Sequence, residues 1–248
     1  MLKTLAIVQL CRGDRLAHDV TRRLAGKPLL EWVVRRVTDC QRLDGVIVAL
    51  GNSPRDREIA RLVPPDVPVF YGPAEDALSR YVAALREYPA EAVVRVCTEN
   101  LFIDPVLVDR LVSTADAHRE CDYVSYCSKT GKPAILAPLG VFAEWCRADA
   151  LRRAHRETSD PLDRELVTRY LYSHPEKFQV RLIPVPPEFD RADVRLTIES
   201  EEDWDHVQAI FEALGPEALD WQAIAGLLDQ HPQLRMRMAA MNRDRAEV

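Results

Sequence analysis

The sequence predicts an α/β protein whose largely parallel sheet is covered on both faces by helices. Short apolar runs rich in β-branched residues alternate with longer segments of helical period along most of the 248 residues. The balance of 47% hydrophobic and 29% charged residues is that of a folded globular chain. Ligands of such sheets bind beyond the carboxyl ends of the strands, so functional residues are sought there.

Thr4 to Leu10 reads as a buried first strand. Pro28 opens a helix running to about Cys40, because proline suits the first helical position, and Leu29, Trp32, Val33 and Val37 recur at helical spacing. Gly45 to Leu50 is the second strand, Pro54 to about Leu62 a short helix, and Val69 to Tyr71 a third strand. A helix over Asp76–Arg86 and a fourth strand over Ala92–Cys97 follow. Asp104-Pro105 gives a cap and a proline start for a helix to about His118. Asp122 to Tyr126 is the fifth strand, and Asp160-Pro161 repeats the helix-start chemistry with Asp163 in the first turn. Phe178–Val185 and Val194–Ile198 are expected as further strands. Helices near 201–213, 218–229 and 232–241 are separated by Gly215-Pro216 and His231-Pro232. The expected organisation is an α/β domain over 1–213 and a C-terminal helical extension over 214–248.

The formal charge of −6 and the absence of a Lys/Arg block argue against a nucleic-acid partner, so any phosphate binding should rest on a few placed groups. The six cysteines form no CxxC pair, which leaves zinc and redox readings weak. The first apolar run is too short for a signal peptide, and no segment has the length of a membrane span; a cytoplasmic protein is expected.

Three strand ends carry candidate chemistry. The first strand runs out through Gln9, Leu10, Cys11, Arg12, Gly13, Asp14 and Arg15. Gly13 permits a tight turn, and Arg12 and Arg15 suit phosphate oxygens through charge-assisted hydrogen bonds, helped by loop amides. The fourth strand holds Arg95 inside an apolar run, which calls for a buried partner or a ligand, and is followed by Glu99. Glu199 follows the last expected strand, ahead of the cap Ser200. Two carboxylates on one sheet edge can hold a divalent cation that bridges phosphates. Asp203-Trp-Asp205 has the spacing of a metal motif but falls within a predicted helix and is read as a surface pair. Trp145, Trp204 and Trp221 are expected to pack the helical layer.

Several stretches in order resemble the cytidylyltransferases of spore-coat polysaccharide biosynthesis, relatives of the CMP-sialic acid and CMP-Kdo synthetases. They are Leu24-Ala-Gly-Lys-Pro-Leu-Leu30, Gly72 to Tyr81, Val94-Arg-Val96 through Leu101-Phe-Ile-Asp-Pro105, Ser159 to Thr168, Arg195-Leu-Thr-Ile-Glu-Ser200 and Leu227 to Asn242. The resemblance implies a GT-A-like, Rossmann-type nucleotide-binding fold, a homodimer, CTP, and Mg²⁺ or another divalent cation. The implied reaction joins an oxygen of an acidic sugar or related small acid to the α-phosphorus of CTP and releases pyrophosphate. On that reading Arg12 and Arg15 are catalytic, and Gln9, Leu10, Arg12, Gly13, Arg15, Arg80 and Arg95 bind nucleotide. Glu99 and Glu199 hold the metal, and Asp160 and Arg164 face the acceptor.

The chain departs from the family pattern in specific places. Its nucleotide loop is one residue shorter, and Asp19 stands where the family has a lysine, with Arg22 or Arg23 as candidate compensations. Exchanging a cation for an anion there removes about 3 kcal/mol or more of phosphate stabilisation. Glu99 and Glu199 stand for two aspartates, Thr98 and Leu101 for a glycine and a proline, and Leu166 for a histidine. Two alternatives stand beside the transferase reading. One is a non-catalytic or divergent nucleotide-binding homologue in a glycan or secondary-metabolite pathway, which Asp19 favours. The other is a GT-A glycosyltransferase.

Overall fold

The computed structural model describes residues 1–10 and 20–246. Its first half runs β1 (Leu2–Gln9), β2 (Arg23–Leu24), β3 (Lys27–Pro28), α1 (Leu29–Thr38), β4 (Gly45–Leu50), α2 (Pro54–Ala60), β5 (Val69–Tyr71), α3 (Ala77–Glu87) and β6 (Ala90–Cys97). Next come α4 (Pro105–Ala117), β7 (Tyr123–Cys127), β8 (Glu144–Arg147), α5 (Ala148–Glu157), α6 (Pro161–Glu165), α7 (Arg169–Ser173) and β9 (Val180–Pro184). Three helices close the chain: α8 (Glu201–Leu214), α9 (Trp221–Gln230) and α10 (Pro232–Ala246).

Seven strands form one sheet in the order β5-β4-β1-β6-β8-β7-β9, and β2 pairs with β3 in a separate small hairpin. All strand pairs of the large sheet are parallel except those of β8, which is antiparallel to both β6 and β7. From β1 the chain first builds outward through β4 to β5 and then returns to place β6 on the other side of β1. The strand order thus reverses at β1, which puts the ligand crevice of such a sheet beyond Gln9.

Side-chain alternation along the central strands explains why both faces are covered. Leu5 and Ile7 of β1, with Ile47, Ala49 and Val93, pack against α3, α5 and α7. Ala6 and Val8, with Val48, Leu50, Val94 and Val96, pack against α1, α4, α8 and α9. Leu219, Ile224, Ala225, Leu228 and Met238 belong to this second core, so the C-terminal helices are built into the layer beside α1 and α4.

Asp104 fastens them there. It caps α4 by accepting from Leu107 N at 3.0 Å, and its other carboxylate oxygen accepts from Trp221 N at 3.0 Å, at the start of α9. Arg36 of α1 reaches the same point, donating to the carbonyls of Ile103 and Leu219 at 2.7 Å each.

Two sequence expectations are corrected. Val194–Ile198 is buried but is not a strand of the sheet. Its amides turn to loop carbonyls instead: Leu196 N and Thr197 N donate to Pro138 O at 2.7 and 3.3 Å, and Ile198 N donates to Glu99 O at 3.3 Å. Pro28 is the cap residue of α1, with ψ of 151°, and ends β3 rather than opening the helix. The antiparallel β8 was not anticipated, because Glu144 interrupts its apolar run; Trp145 lies on this strand, and its buried side chain belongs to the core shared with the helices of that face, as expected.

Two stability outcomes follow. Asp104→Ala removes a buried cap and orphans a second, part-buried amide, so it should cost about 2–4 kcal/mol, against about 1 kcal/mol for Asp220→Ala, an exposed cap. Urea denaturation of both variants checks this, and equal costs would contradict the tie to α9. Gly140 has φ of +66°, and an added Cβ would lie 2.5 Å from Leu196 O. Gly140→Ala should therefore cost about 2 kcal/mol or more by displacing the 194–198 segment; a loss under about 0.5 kcal/mol in the same assay would refute the close approach.

Candidate active site

Gln9 ends β1 and is buried, and its carbonyl accepts from Thr98 N at 3.1 Å, which ties the turn after β6 to the end of β1. Leu10 is half-buried beside it. Arg12, Gly13 and Arg15, the core of the expected phosphate loop, lie outside the described residues, as does Asp19.

The turn after β6 carries Glu99, and the bond from Ile198 N to Glu99 O lays the segment that ends in Glu199 directly alongside it. The two carboxylates named from the sequence therefore stand on touching segments beside the end of β1. Glu199 is held from below. Its Oε1 accepts from Thr197 Oγ1 at 3.3 Å and its Oε2 from Arg195 Nη2 at 3.4 Å. Arg195 is itself clamped by Asp203, with Nε to Oδ1 at 2.6 Å and Nη2 to Oδ2 at 2.9 Å. Asp203 is 1% exposed, so it is a buried anchor and not the surface residue expected from its helix. Among the described residues no group of three or more His, Cys, Asp or Glu side chains is placed to hold a metal ion. Two carboxylates nevertheless suit a hard cation of the magnesium type, which takes one or two protein carboxylates and completes its shell with phosphate oxygens and water. The donors present fit that ion.

Arg95 has a buried partner. Its Nη1 lies 2.6 Å from Glu144 Oε2, Nη2 donates to Cys97 Sγ at 3.1 Å, and Nε donates to the Gln9 side-chain oxygen at 3.4 Å. The other Glu144 oxygen accepts from the Tyr123 hydroxyl and from Thr168 Oγ1 at 2.9 Å. Burial alone would lower the Arg95 pKa, but the charge of Glu144 and its hydrogen bond outweigh burial and raise it. Burial and the Glu144 charge together push the Tyr123 phenol well above its ordinary value. Tyr172 nearby is pushed up to about 12, chiefly by burial. Removing one partner of such a pair costs about 3–5 kcal/mol. The guanidinium thus supports the site by fixing Gln9 from beneath.

Arg80, on α3, is buried and donates from Nη1 to the carbonyls of Pro73 and Ala74 at 2.6 and 3.3 Å. It holds the turn after β5. Gly72 lets the two approach, since a Cβ there would sit 2.9 Å from Arg80 Cγ.

The residues assigned to the acceptor lie on the α3 and α5 side. Arg164 donates to Asp76 Oδ2 at 3.3 Å, to Ser79 Oγ at 3.4 Å and to His155 O at 3.1 Å. Ser79 gives its proton to Asp76 Oδ2 at 2.6 Å, so His155 Nε2, 2.9 Å away, is the donor of that pair. Burial, then the charge of Arg164, lowers the His155 pKa. Asp160 caps α6 and faces Arg169 at 3.4 Å. Val167 has φ of +54°, a strained value for a β-branched residue, immediately before Thr168 bonds to Glu144.

Of the candidate compensations for Asp19, Arg22 pairs with both oxygens of Glu201 at 2.8 Å and lies over the Trp204 ring, 4.1 Å from its centroid. Arg23 instead donates to Gly26 O in the hairpin. Glu144 and Asp203 were missed from the sequence. A lone acid in the apolar run Val141-Phe-Ala-Glu-Trp-Cys146 is a signal that a buried cation such as Arg95 must face it.

Comparison with known proteins agrees with this architecture. The profile of the cytidylyltransferase family matches residues 11–239. The uncharacterized protein MJ1063 of Methanocaldococcus jannaschii is 30% identical over 239 residues, covering 94% of this chain and 93% of that one. The spore coat polysaccharide biosynthesis protein SpsF of Bacillus subtilis is 28% identical over 218 residues, covering 85% and 87%. The structure of a cytidylyltransferase from Leptospira borgpetersenii superposes with a TM-score of 0.83 at 19% identity, covering 94% of this chain and 97% of that one, and supports the fold. With the family profile spanning nearly its whole length, the chain belongs to the cytidylyltransferase family.

Proposed function

We propose that this cytidylyltransferase-family chain transfers CMP from CTP to a small acidic acceptor, a sugar acid or a related acid, and releases pyrophosphate. The observation that supports the reading is the Ile198–Glu99 backbone bond, which lays the segment ending in Glu199 beside the turn that carries Glu99. In the reaction an acceptor oxygen attacks the α-phosphorus, and the bond from that phosphorus to the bridging oxygen breaks. The electron pair leaves with pyrophosphate, and no covalent enzyme intermediate is needed.

The chain's part is position and charge. Gln9, held by Arg95, marks the end of β1 where the nucleotide would bind. Arg12 and Arg15 bind the phosphates, and Arg80 keeps the turn after β5 in place. Glu99 and Glu199 hold the divalent ion, which when bound neutralises charge on the phosphate oxygens. Arg164 and Asp160 face the acceptor. The net charge of −6 supports the absence of a nucleic-acid partner. No helix among the described residues is long and apolar enough to cross a membrane. Action in the cytoplasm as a homodimer completes the proposal.

Incubation with CTP, Mg²⁺ and a panel of acidic sugars should release pyrophosphate. Glu99→Gln and Glu199→Gln should each lower the rate by about 100-fold or more, about 3 kcal/mol of transition-state stabilisation. No release from any acceptor, together with no shift of the melting midpoint by CTP, would sink the proposal. Asp19→Lys should raise CTP affinity by about 100-fold, read by calorimetry. A gain in affinity in a protein that never turns over would favour the non-catalytic alternative.

A further inference from the structure

The turn that leaves β6 is tied down by its backbone. Thr98 N donates to Gln9 O at 3.1 Å, Asn100 N donates to Cys97 O at 3.1 Å, and Glu99 O accepts from Ile198 N at 3.3 Å. Its buried polar side chains are not equally provided for. Asn100 Nδ2 donates to Phe142 O at 3.1 Å. Thr98 is 3% exposed, and its hydroxyl has no hydrogen-bond partner among the described residues. A buried hydroxyl without a partner costs about 1–3 kcal/mol, which a valine of the same shape would avoid. Such a group calls for an explanation, and its place supplies one. Thr98 is the first residue beyond β6, and its amide is joined to the last residue of β1, where the strand order reverses and sheets of this kind take their ligand.

We infer that Thr98 is a nucleotide-contacting residue: its Oγ1 makes a hydrogen bond to an oxygen of bound CTP. This rests on the CTP reading proposed above and is independent of the metal role of Glu99 and Glu199. A threonine hydroxyl offers one donor and two acceptor positions, so it suits a ribose hydroxyl as well as a phosphate or base oxygen. The bond forms only in the complex. In the free protein the hydroxyl is a cost, and the nucleotide removes that cost. Stability of the free protein and affinity for CTP therefore respond to loss of the hydroxyl with opposite signs, which a threonine of purely structural role would not show. The glycine of the family pattern at this position carries no such group, so the contact belongs to this chain.

The test measures CTP affinity of the whole chain by calorimetry in the presence of Mg²⁺, and the melting midpoint of the same proteins without nucleotide. Thr98→Val keeps the shape and removes the hydroxyl. It should bind CTP about 10-fold more weakly, while its midpoint stays level or rises by up to about 4 °C. Thr98→Ser keeps the hydroxyl and should bind within threefold of the unaltered protein. Thr98→Gly lacks the hydroxyl and should bind about 10-fold more weakly again.

A Thr98→Val protein that binds CTP as tightly as the unaltered one overturns the inference. So does one whose midpoint falls together with its affinity, or that fails to fold, because the hydroxyl would then be bonded within the free protein. A serine variant as weak as the valine variant also overturns it, and so does a glycine variant that binds more tightly, which would make the side chain an obstruction. Absence of CTP binding by the unaltered protein would instead remove the nucleotide reading on which the inference rests.

Discussion

The amide of Ile198 reaching the carbonyl of Glu99 is the contact on which the proposed site depends. The two residues are far apart in the chain, and neither lies in a strand or a helix. What makes the bond possible is the refusal of the 194–198 segment to join the sheet. Its amides are drawn to Pro138 O and Glu99 O, and Gly140 removes the side chain that would hold it away. Outside any ladder, the segment spends these amides on two separate loops, and the last of them lays the backbone of Glu199 beside that of Glu99.

Beneath that contact lie two buried ion pairs with different consequences. Arg95 and Glu144 join β6 to β8 and extend to Gln9 on one side and Thr168 on the other. Arg195 and Asp203 join the 194–199 segment to α8. Buried pairs are costly to desolvate and contribute little net stability, but a partner deleted alone leaves an unpaired charge. Their effect is to permit few arrangements of the groups they touch. In this fold the groups they touch are Gln9 at the end of β1 and the candidate metal residue Glu199.

Much of the architecture was legible in the sequence because local chemistry and packing agree. The alternation of Leu5 and Ile7 with Ala6 and Val8 needs two covered faces, and two covered faces are found. Asp104-Pro105 caps and starts α4 as expected. The reading went astray where a residue answers to a partner far along the chain. Val194–Ile198 has strand composition, but its pairing is decided by Pro138 and Glu99. Glu144 hid a strand because its charge is satisfied by Arg95 and Tyr123. Asp203 looked like a surface acid because helix periodicity does not reveal that Arg195 is waiting eight residues earlier. The proximity of Glu99 to Glu199 was anticipated from their strand-end positions, although only one of the two follows a true strand.

The charge distribution narrows where a triphosphate could be neutralised. A chain of net charge −6 cannot rely on a diffuse positive field. Several arginines that the sequence offered prove to be engaged elsewhere. Arg95 faces Glu144, Arg195 faces Asp203, Arg164 faces Asp76 and Ser79, and Arg80 holds carbonyls of the β5 turn. Each is a support for the shape of the crevice more than a reserve of charge. Arg22 is paired as well, but its partner Glu201 is exposed, where a water-screened pair is weak and readily exchanged for a phosphate. On the proposed reading the remaining burden falls on Arg12 and Arg15, which lie outside the described residues, and on a cation held by Glu99 and Glu199. On the proposed reading that division gives two acids at a polyanion site a use: their negative charge would recruit a divalent ion, and the ion would supply the charge that the engaged arginines do not.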